Sequence, residues 1–140
     1  MKRLFHIFFT SCFLLSLSAF ADEHLLKPQS QGEVTFISGG VGENQLKAMQ
    51  AMRNSYNLNL LFALKKSGKF IADVNVQIAD AKGNILVETV AEGPYLFASL
   101  KPGKYIVTAE EEGKVMRQKA RVSDRGTTTL SFYWPEEYGD

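Results

Sequence analysis

The chain has 140 residues, with 16 Lys and Arg against 15 Asp and Glu, so its net charge is +1 with histidine neutral. A chain of this length suits a single domain with its own apolar core. The near balance of charge argues against a nucleic-acid binder, because such proteins show a clear basic excess.

The N-terminal 21 residues have the three parts of a secretory signal peptide. Lys2 and Arg3 form a basic start, residues 4–20 carry no charge, and Ala19-Phe20-Ala21 gives an A-x-A-like cleavage site. The apolar run of about 17 residues is at the short limit for spanning a bilayer. We therefore expect cleavage after Ala21, a periplasmic or secreted location, and no stable membrane span afterwards.

Cleavage would remove Cys12 and leave 119 residues with 14 basic and 15 acidic side chains, a net charge of −1. The remaining chain has no cysteine and one histidine, His24. Ser–His and Cys–His nucleophilic chemistry both need a histidine placed beside the nucleophile. We therefore expect a protein that is not an enzyme and that requires no cofactor.

The expected mature terminus is a candidate metal site, because it would begin with Asp22, Glu23 and His24. A free amine, two deprotonated amides and an imidazole at the third position can hold Cu(II) or Ni(II) in a square plane. The alternative is a histidine that falls at this position by chance in a polar segment.

Residues 22–32 are polar, include one proline and lack periodicity, so we interpret them as a disordered lead. Residues 33–55 are predicted to form an N-terminal strand and a helix. The strand prediction rests on the β-branched and aromatic residues at 34–37.

A glycine-rich loop, Gly39–Gly42, precedes a short amphipathic helix predicted at residues 43–53. The loop has the position of a phosphate cradle, but the dinucleotide fingerprint is incomplete, which favours a strand-to-helix joint. The apolar residues of the helix recur every three positions; they are Leu46, Met49 and Met52. This spacing favours a core-facing stripe over a copper(I) site made of thioethers.

Residues 56–134 read as a succession of short alternating strands separated by turn signals, which is typical of a sandwich or small barrel. The turn at residues 80–84 places Gly83 where a hairpin needs a positive φ, and Pro102-Gly103 has the order of a type II turn. No long helical crossover separates the later strands, so we do not expect a parallel sheet. Residues 135–140 form an acidic tail.

One predicted strand carries a basic stripe. Its members are Lys114, Arg117, Lys119 and Arg121. Basic residues on an outer strand prevent edge-to-edge pairing of sheets, and this is the simpler interpretation. The alternative is an interaction face for anionic lipid or an acidic partner.

Three motifs together resemble the carboxypeptidase regulatory-like domain. They are the valine-rich strand at 73–76, the D-x-x-G turn at 80–83, and the L-x-P-G-x-Y hairpin at 100–105. The resemblance covers roughly residues 70–134 and implies a transthyretin-like (prealbumin-like) sandwich. We therefore expect an all-β, Greek-key sandwich of about seven to eight strands over residues 56–134, with one short N-terminal amphipathic helix.

The same resemblance implies an accessory or binding role. We expect a non-catalytic exported module whose partner is a protein or glycan of the cell envelope, with no nucleic-acid partner. The alternative is a small-ligand or copper-handling periplasmic protein. Burial of Met49 and Met52 in a closed core would favour the first, and a defined pocket beside the helix would favour the second.

Overall fold

The computed structural model describes residues 26–136, which form nine strands, one α-helix and one turn of 3-10 helix. The strands are β1 (Gln29–Gln31), β2 (Val34–Gly39), β3 (Leu58–Leu64), β4 (Val74–Asp80), β5 (Ile85–Ala91), β6 (Tyr95–Ser99), β7 (Gly103–Glu111), β8 (Lys114–Val122) and β9 (Thr128–Trp134). The helix α1 (Gly42–Met52) continues into the 3-10 turn Arg53–Ser55 and lies between β2 and β3.

The strands form two sheets, which confirms the predicted all-β sandwich. Sheet A has the order β1-β2-β6-β3-β9, and sheet B has the order β5-β4-β7-β8. The chain crosses from β5 in sheet B to β6 in sheet A and returns to place β7 beside β4, as Greek-key sandwiches do. Strand β2 lies inside sheet A between β1 and β6, so the N-terminal strand is part of the sandwich.

The core between the sheets is built from the inward-facing residues of both. Val74, Val76 and Ile78 of β4 are fully or almost fully buried, whereas Asn75 on the opposite face is exposed. This is the predicted alternation of a strand with one solvated face. Three aromatic rings of β3 and β9 meet with centroids 5.9–6.2 Å apart; they are Phe62, Phe132 and Trp134.

Strands β3 and β9 pair in parallel, from Leu58 opposite Thr128 to Leu64 opposite Trp134. Sheet A is therefore mixed, with this one parallel ladder beside antiparallel ones, and neither sheet is a parallel sheet. Strands β4 to β8 lie between these two strands in the chain, so they serve as the crossover connection and no single long helix is needed.

Part of the predicted disordered lead is ordered, because Gln29–Gln31 pairs with β2 as β1. The Gln31 side-chain amide donates to the Glu88 carbonyl and accepts from the Glu88 amide, both at 2.9 Å. The Gln31 side-chain amide therefore forms the same pair of hydrogen bonds with the edge strand β5 that the backbone of a neighbouring strand would form. A polar segment without periodicity gives no sequence signal for such a contact.

The L-x-P-G-x-Y hairpin forms a tyrosine corner, in which the Tyr105 hydroxyl donates to the carbonyl of Lys101 four residues earlier. Burial raises the pKa of Tyr105. Gly103 lacks the positive φ that a type II turn requires at this position, so that turn prediction was wrong. Gly83 has φ of 88°, as the hairpin prediction requires.

Candidate functional site

The basic residues of β8 divide between its two faces. Arg117, Lys119 and Arg121 are exposed on the outer face of sheet B, while Ala120 and Val122 are buried in the core. Lys114 lies an odd number of residues from these three, so it belongs to the opposite face and is half-buried. The predicted four-residue stripe therefore keeps three of its members and loses Lys114.

A fourth cation joins these three from the neighbouring strand. Lys104 of β7 lies directly opposite Arg121 in the antiparallel register, and both are exposed. We call Lys104, Arg117, Lys119 and Arg121 the basic face. Sequence reasoning missed Lys104, because the register that places it beside Arg121 is a property of the strand pair.

The basic face also has an apolar element and a depression. Ile106, 37 % exposed, lies opposite Lys119 between the charged residues. A depression of about 500 Å³ is lined by Ala81, Lys104, Ile106, Lys119 and Arg121 among others. The face thus offers both charge and apolar surface to a partner.

The far end of the same outer face is acidic. Glu110 lies opposite Val115 at one end of the β7–β8 ladder, whereas Lys104 and Arg121 are paired near the other. Glu88 of β5 lies opposite Gln77 of β4 in the next ladder. The outer face of sheet B therefore has a charge gradient along and across its strands.

Strand β8 is an edge of sheet B, and side chains of β9 cover part of that edge. The Trp134 indole Nε1 donates to the Lys114 carbonyl at 3.1 Å, and the Thr128 hydroxyl donates to the Arg121 carbonyl at 2.7 Å. Gln118 in turn donates to the Ser131 carbonyl of β9 at 2.7 Å. These contacts reduce the number of free edge groups that another strand would need for pairing.

The hairpin turn next to the depression is fixed by Asp80. Its carboxylate accepts hydrogen bonds from the Asn84 side chain at 3.0 Å and from the backbone amides of Asn84 and Lys82 at 2.9 Å. These bonds, those of Asn84 foremost, lower the pKa of Asp80 below its ordinary value. These hydrogen bonds stabilise the turn that borders the basic face.

Backbone amides of the Gly39–Gly42 loop donate hydrogen bonds to a side chain of the protein itself. The Gln45 side-chain oxygen accepts hydrogen bonds from the backbone amides of Gly40 and Val41, at 3.2 and 3.1 Å. A phosphate cradle needs such amides free to meet the ligand. The arrangement supports the strand-to-helix joint that the sequence favoured.

Two glycines in this region allow close backbone contact. A Cβ atom at Gly93 would lie 2.3 Å from the Gly39 carbonyl oxygen, so a side chain there has no room. The role of these glycines is therefore packing between the end of β2 and the start of β6.

Helix α1 packs against the outer face of sheet A. Met49 is fully buried with Ile37 and Phe97, and Met52 packs on the same cluster while half-buried. Leu46 is half-buried as well. The predicted core-facing stripe is confirmed, and the Met49 sulfur is enclosed by apolar side chains.

A cavity of about 370 Å³ lies beside the C-terminal end of the helix, against the outer face of sheet A. Its lining includes Arg53 after the helix, Asn59 of β3 and the rings of Tyr95 and Phe97 of β6. Sequence analysis assigned no role to Asn59, because a polar residue in an alternating strand is ordinarily solvated.

Asp22, Glu23 and His24 lie outside the described residues, and so does the predicted signal peptide. Within residues 26–136, no three His, Cys, Asp or Glu side chains are grouped so that they could hold a metal ion. No helix of this part of the chain is long and apolar enough to cross a membrane. The N-terminal copper site stays a prediction.

The sequence matches no protein-family model and no curated protein. Among solved structures, the chain is similar to S.CueP, with a TM-score of 0.42 and 16 % sequence identity. The matched region covers 52 % of this chain and 59 % of the S.CueP chain, so it spans less than two thirds of that protein.

Proposed function

We propose that this protein is a non-catalytic binding module that recognises an acidic partner protein through the basic face of sheet B. The observation that carries the proposal is the pairing of Lys104 with Arg121 on an exposed sheet face. Like charges directly opposite each other on neighbouring strands destabilise a sheet. A bound anionic group would remove that repulsion.

The cations of the basic face are available for a partner. The ion pairs Lys47–Glu43 and Lys101–Glu33 do not involve the basic face, and none of its four cations forms an ion pair within residues 26–136. Four neighbouring cations that form no ion pair within residues 26–136 create a local positive potential, although the chain as a whole is nearly neutral.

The charge gradient favours a protein partner over an anionic membrane. A flat membrane surface would also approach Glu88 and Glu110 on the same outer face, and their charge would be repelled. A protein segment with a few acidic residues beside an apolar one fits the cations around Ile106 and leaves the acidic end free. We therefore assign the basic face to an acidic segment of a partner protein.

Edge protection is the competing explanation for the basic residues of β8. The Trp134 and Thr128 side chains of β9 already form hydrogen bonds with backbone carbonyls of this edge. The edge therefore has less need of charged residues to prevent pairing with another strand. Edge protection also gives no reason for Lys104, which belongs to β7 inside sheet B.

The two-sheet fold and the tyrosine corner of Tyr105 support the proposal that the chain is related to carboxypeptidase regulatory-like domains of the transthyretin type. An exported location belongs to the same proposal and rests on the predicted signal peptide. Because the predicted signal peptide would direct the chain out of the cytoplasm, the proposed partner is a component of the cell envelope.

The test compares two variants that remove equal charge from different places. One variant is Arg117→Gln, Lys119→Gln, Arg121→Gln, and its control is Lys65→Gln, Lys66→Gln, Lys69→Gln in the turn after β3. Each is used for affinity capture from an envelope fraction and for binding to anionic phosphatidylglycerol vesicles. We expect a salt-sensitive protein partner that the control retains and the basic-face variant loses.

Capture of the same partner by both variants would overturn the assignment of the surface. Vesicle binding that depends on the basic face, without a captured protein, would replace the protein partner by a membrane. Circular dichroism of both variants checks that the fold is unchanged, which is expected since all six side chains are exposed.

A further inference from the structure

The cavity beside the C-terminal end of α1 contains a buried polar atom that the protein leaves unpaired. Asn59 is 2 % exposed, and its Nδ2 donates to the Arg53 carbonyl at 3.2 Å. Because that carbonyl can only accept, the amide nitrogen must face it and the Oδ1 atom must face elsewhere. Within residues 26–136, this Oδ1 is the one buried side-chain polar atom without a hydrogen-bond partner.

A buried unpaired acceptor is costly to a folded protein, and native structures keep few of them. Asn59 is among the residues that line the cavity. Its Oδ1 has less than 1 Å² of accessible surface, so an N–H or O–H group of a ligand reaches this acceptor only when the Asn59 side chain turns toward the cavity. The first requirement of a ligand is therefore a hydrogen-bond donor.

The second requirement is negative charge. Arg53 is the cation among the lining residues, and the lining contains no acidic side chain. Within residues 26–136, Arg53 forms no ion pair. Because the guanidinium presents a planar fork of donors, it suits a carboxylate.

The third requirement is an apolar part. Tyr95 and Phe97 line the same cavity with ring centroids 5.8 Å apart, and Leu61 lies beside them. Gln50 and Thr129 add polar groups at the margin. The volume of about 370 Å³ is at the small end of ligand pockets.

We propose that this cavity binds an N-acylated α-amino carboxylate with an apolar side chain. In this assignment the carboxylate pairs with Arg53, the amide N–H donates to Asn59 Oδ1, and the side chain contacts Tyr95 and Phe97. The same chemistry occurs in a free acylated amino acid and in the C-terminal residue of a peptide. The site is on the opposite face of the sandwich from the basic face and is independent of it.

The test titrates the full chain with three matched probes and follows backbone and side-chain amide signals by NMR. N-acetyl-L-leucine carries all three features, N-acetyl-L-leucinamide lacks the carboxylate, and N-acetyl-N-methyl-L-leucine lacks the donor. We expect saturable shifts at Asn59, Phe97 and Thr129 with the first probe. Affinity should fall at least about tenfold for each of the other two, because each loses a hydrogen bond to a charged or buried group.

Two variants locate the contacts. Arg53→Gln should lower the affinity for N-acetyl-L-leucine about tenfold and leave the weak binding of the leucinamide unchanged. Arg125→Gln, which removes an exposed cation in the turn before β9, should change neither. Asn59→Leu should abolish the preference for the N–H probe over the N-methyl probe, and Arg53→Gln remains decisive if that variant does not fold.

A tripeptide, acetyl-Ala-Ala-Leu with a free C-terminus, distinguishes the two sources. Tighter binding than N-acetyl-L-leucine supports a peptide terminus, and equal or weaker binding supports the free acylated amino acid. Equal affinity for the acid and its amide, an Arg53→Gln variant that binds as the wild type does, or no saturable shift up to the solubility limit of the probes would overturn the proposal.

Discussion

The two outer faces of the sandwich differ in what covers them. On sheet A, α1 buries Ile37, Met49 and Phe97, and a cavity of about 370 Å³ lies beside its C-terminal end. On sheet B, the outer face carries the basic face and exposed Ile106, and no helix of residues 26–136 packs there. The comparison shows how one fold can close one face by packing a helix on it and leave the other face exposed and charged.

The difference follows from the composition of the strands. Four consecutive residues of β2, Phe36 to Gly39, are buried, although their side chains point alternately to the two faces of the sheet. Both faces are covered here, because the core lies on one side and α1 on the other. In β8, buried or half-buried residues alternate with exposed ones along its whole length. Continuous burial is typical of a strand that is covered on both faces. Alternation of buried and exposed residues is typical of a strand that is covered on one face only.

The largest loss of stability is expected at Gly93, whose backbone lies in close contact with the backbone of Gly39. Gly93→Ala would place a Cβ 2.3 Å from the Gly39 carbonyl oxygen, just before the helix. We expect a loss of about 3 kcal/mol or more in the free energy of unfolding, measured by denaturant unfolding. Gly103→Ala is the control, because its nearest neighbour would be 3.8 Å away. Equal stability of both variants would contradict the close contact.

Removing the side chain that joins the helix to sheet A should have the next largest effect. Met49 is fully buried, so Met49→Ala should lower the free energy of unfolding by about 2–4 kcal/mol through lost contacts and a cavity. Met52→Ala, at a half-buried position on the same helix, should cost less. A loss at Met52 as large as that at Met49 would mean that the helix packs differently.

On the open face, one substitution should raise stability while weakening recognition. Arg121→Thr removes the repulsion with Lys104, so we expect a gain of about 0.2–1 kcal/mol in the free energy of unfolding. The gain should shrink as salt is added, since salt screens exposed charges. Arg117→Thr is the control, because Arg117 lies opposite Thr108 and has no repulsion to lose. A destabilised Arg121→Thr would remove the main support for the proposed function.

The smallest effect concerns the turn that borders the basic face. The pKa of Asp80 is lowered in the folded protein, so its stabilising contribution is present above the pKa of the unfolded chain. That contribution is lost as the pH falls through the folded pKa. Asn84→Ala should raise the pKa of Asp80 toward its ordinary value, as followed by NMR titration of the Asp80 carboxyl carbon. Lys82→Gln should shift it less, since the Asn84 side-chain hydrogen bond is the largest cause of the lowered pKa and the charge of Lys82 is the smallest.

The sequence by itself determined which residues face the core. The alternation of Val74, Val76 and Ile78, the spacing of Met49 in its helix and the positive φ of Gly83 are all found in the structure. These features depend on residues close together in the chain. A period of two or of 3.6 assigns a side chain to a face whatever the neighbouring element turns out to be.

Only the tertiary structure decided which faces meet and which groups remain unpaired. Lys104 meets Arg121 through strand register, Gln45 fills the glycine loop, and Gln31 pairs with Glu88 from 57 residues away. The unpaired acceptor of Asn59 depends on where the helix ends and how it covers β3. Contacts between distant segments are set by how complementary faces pack, and no local periodicity encodes the partner.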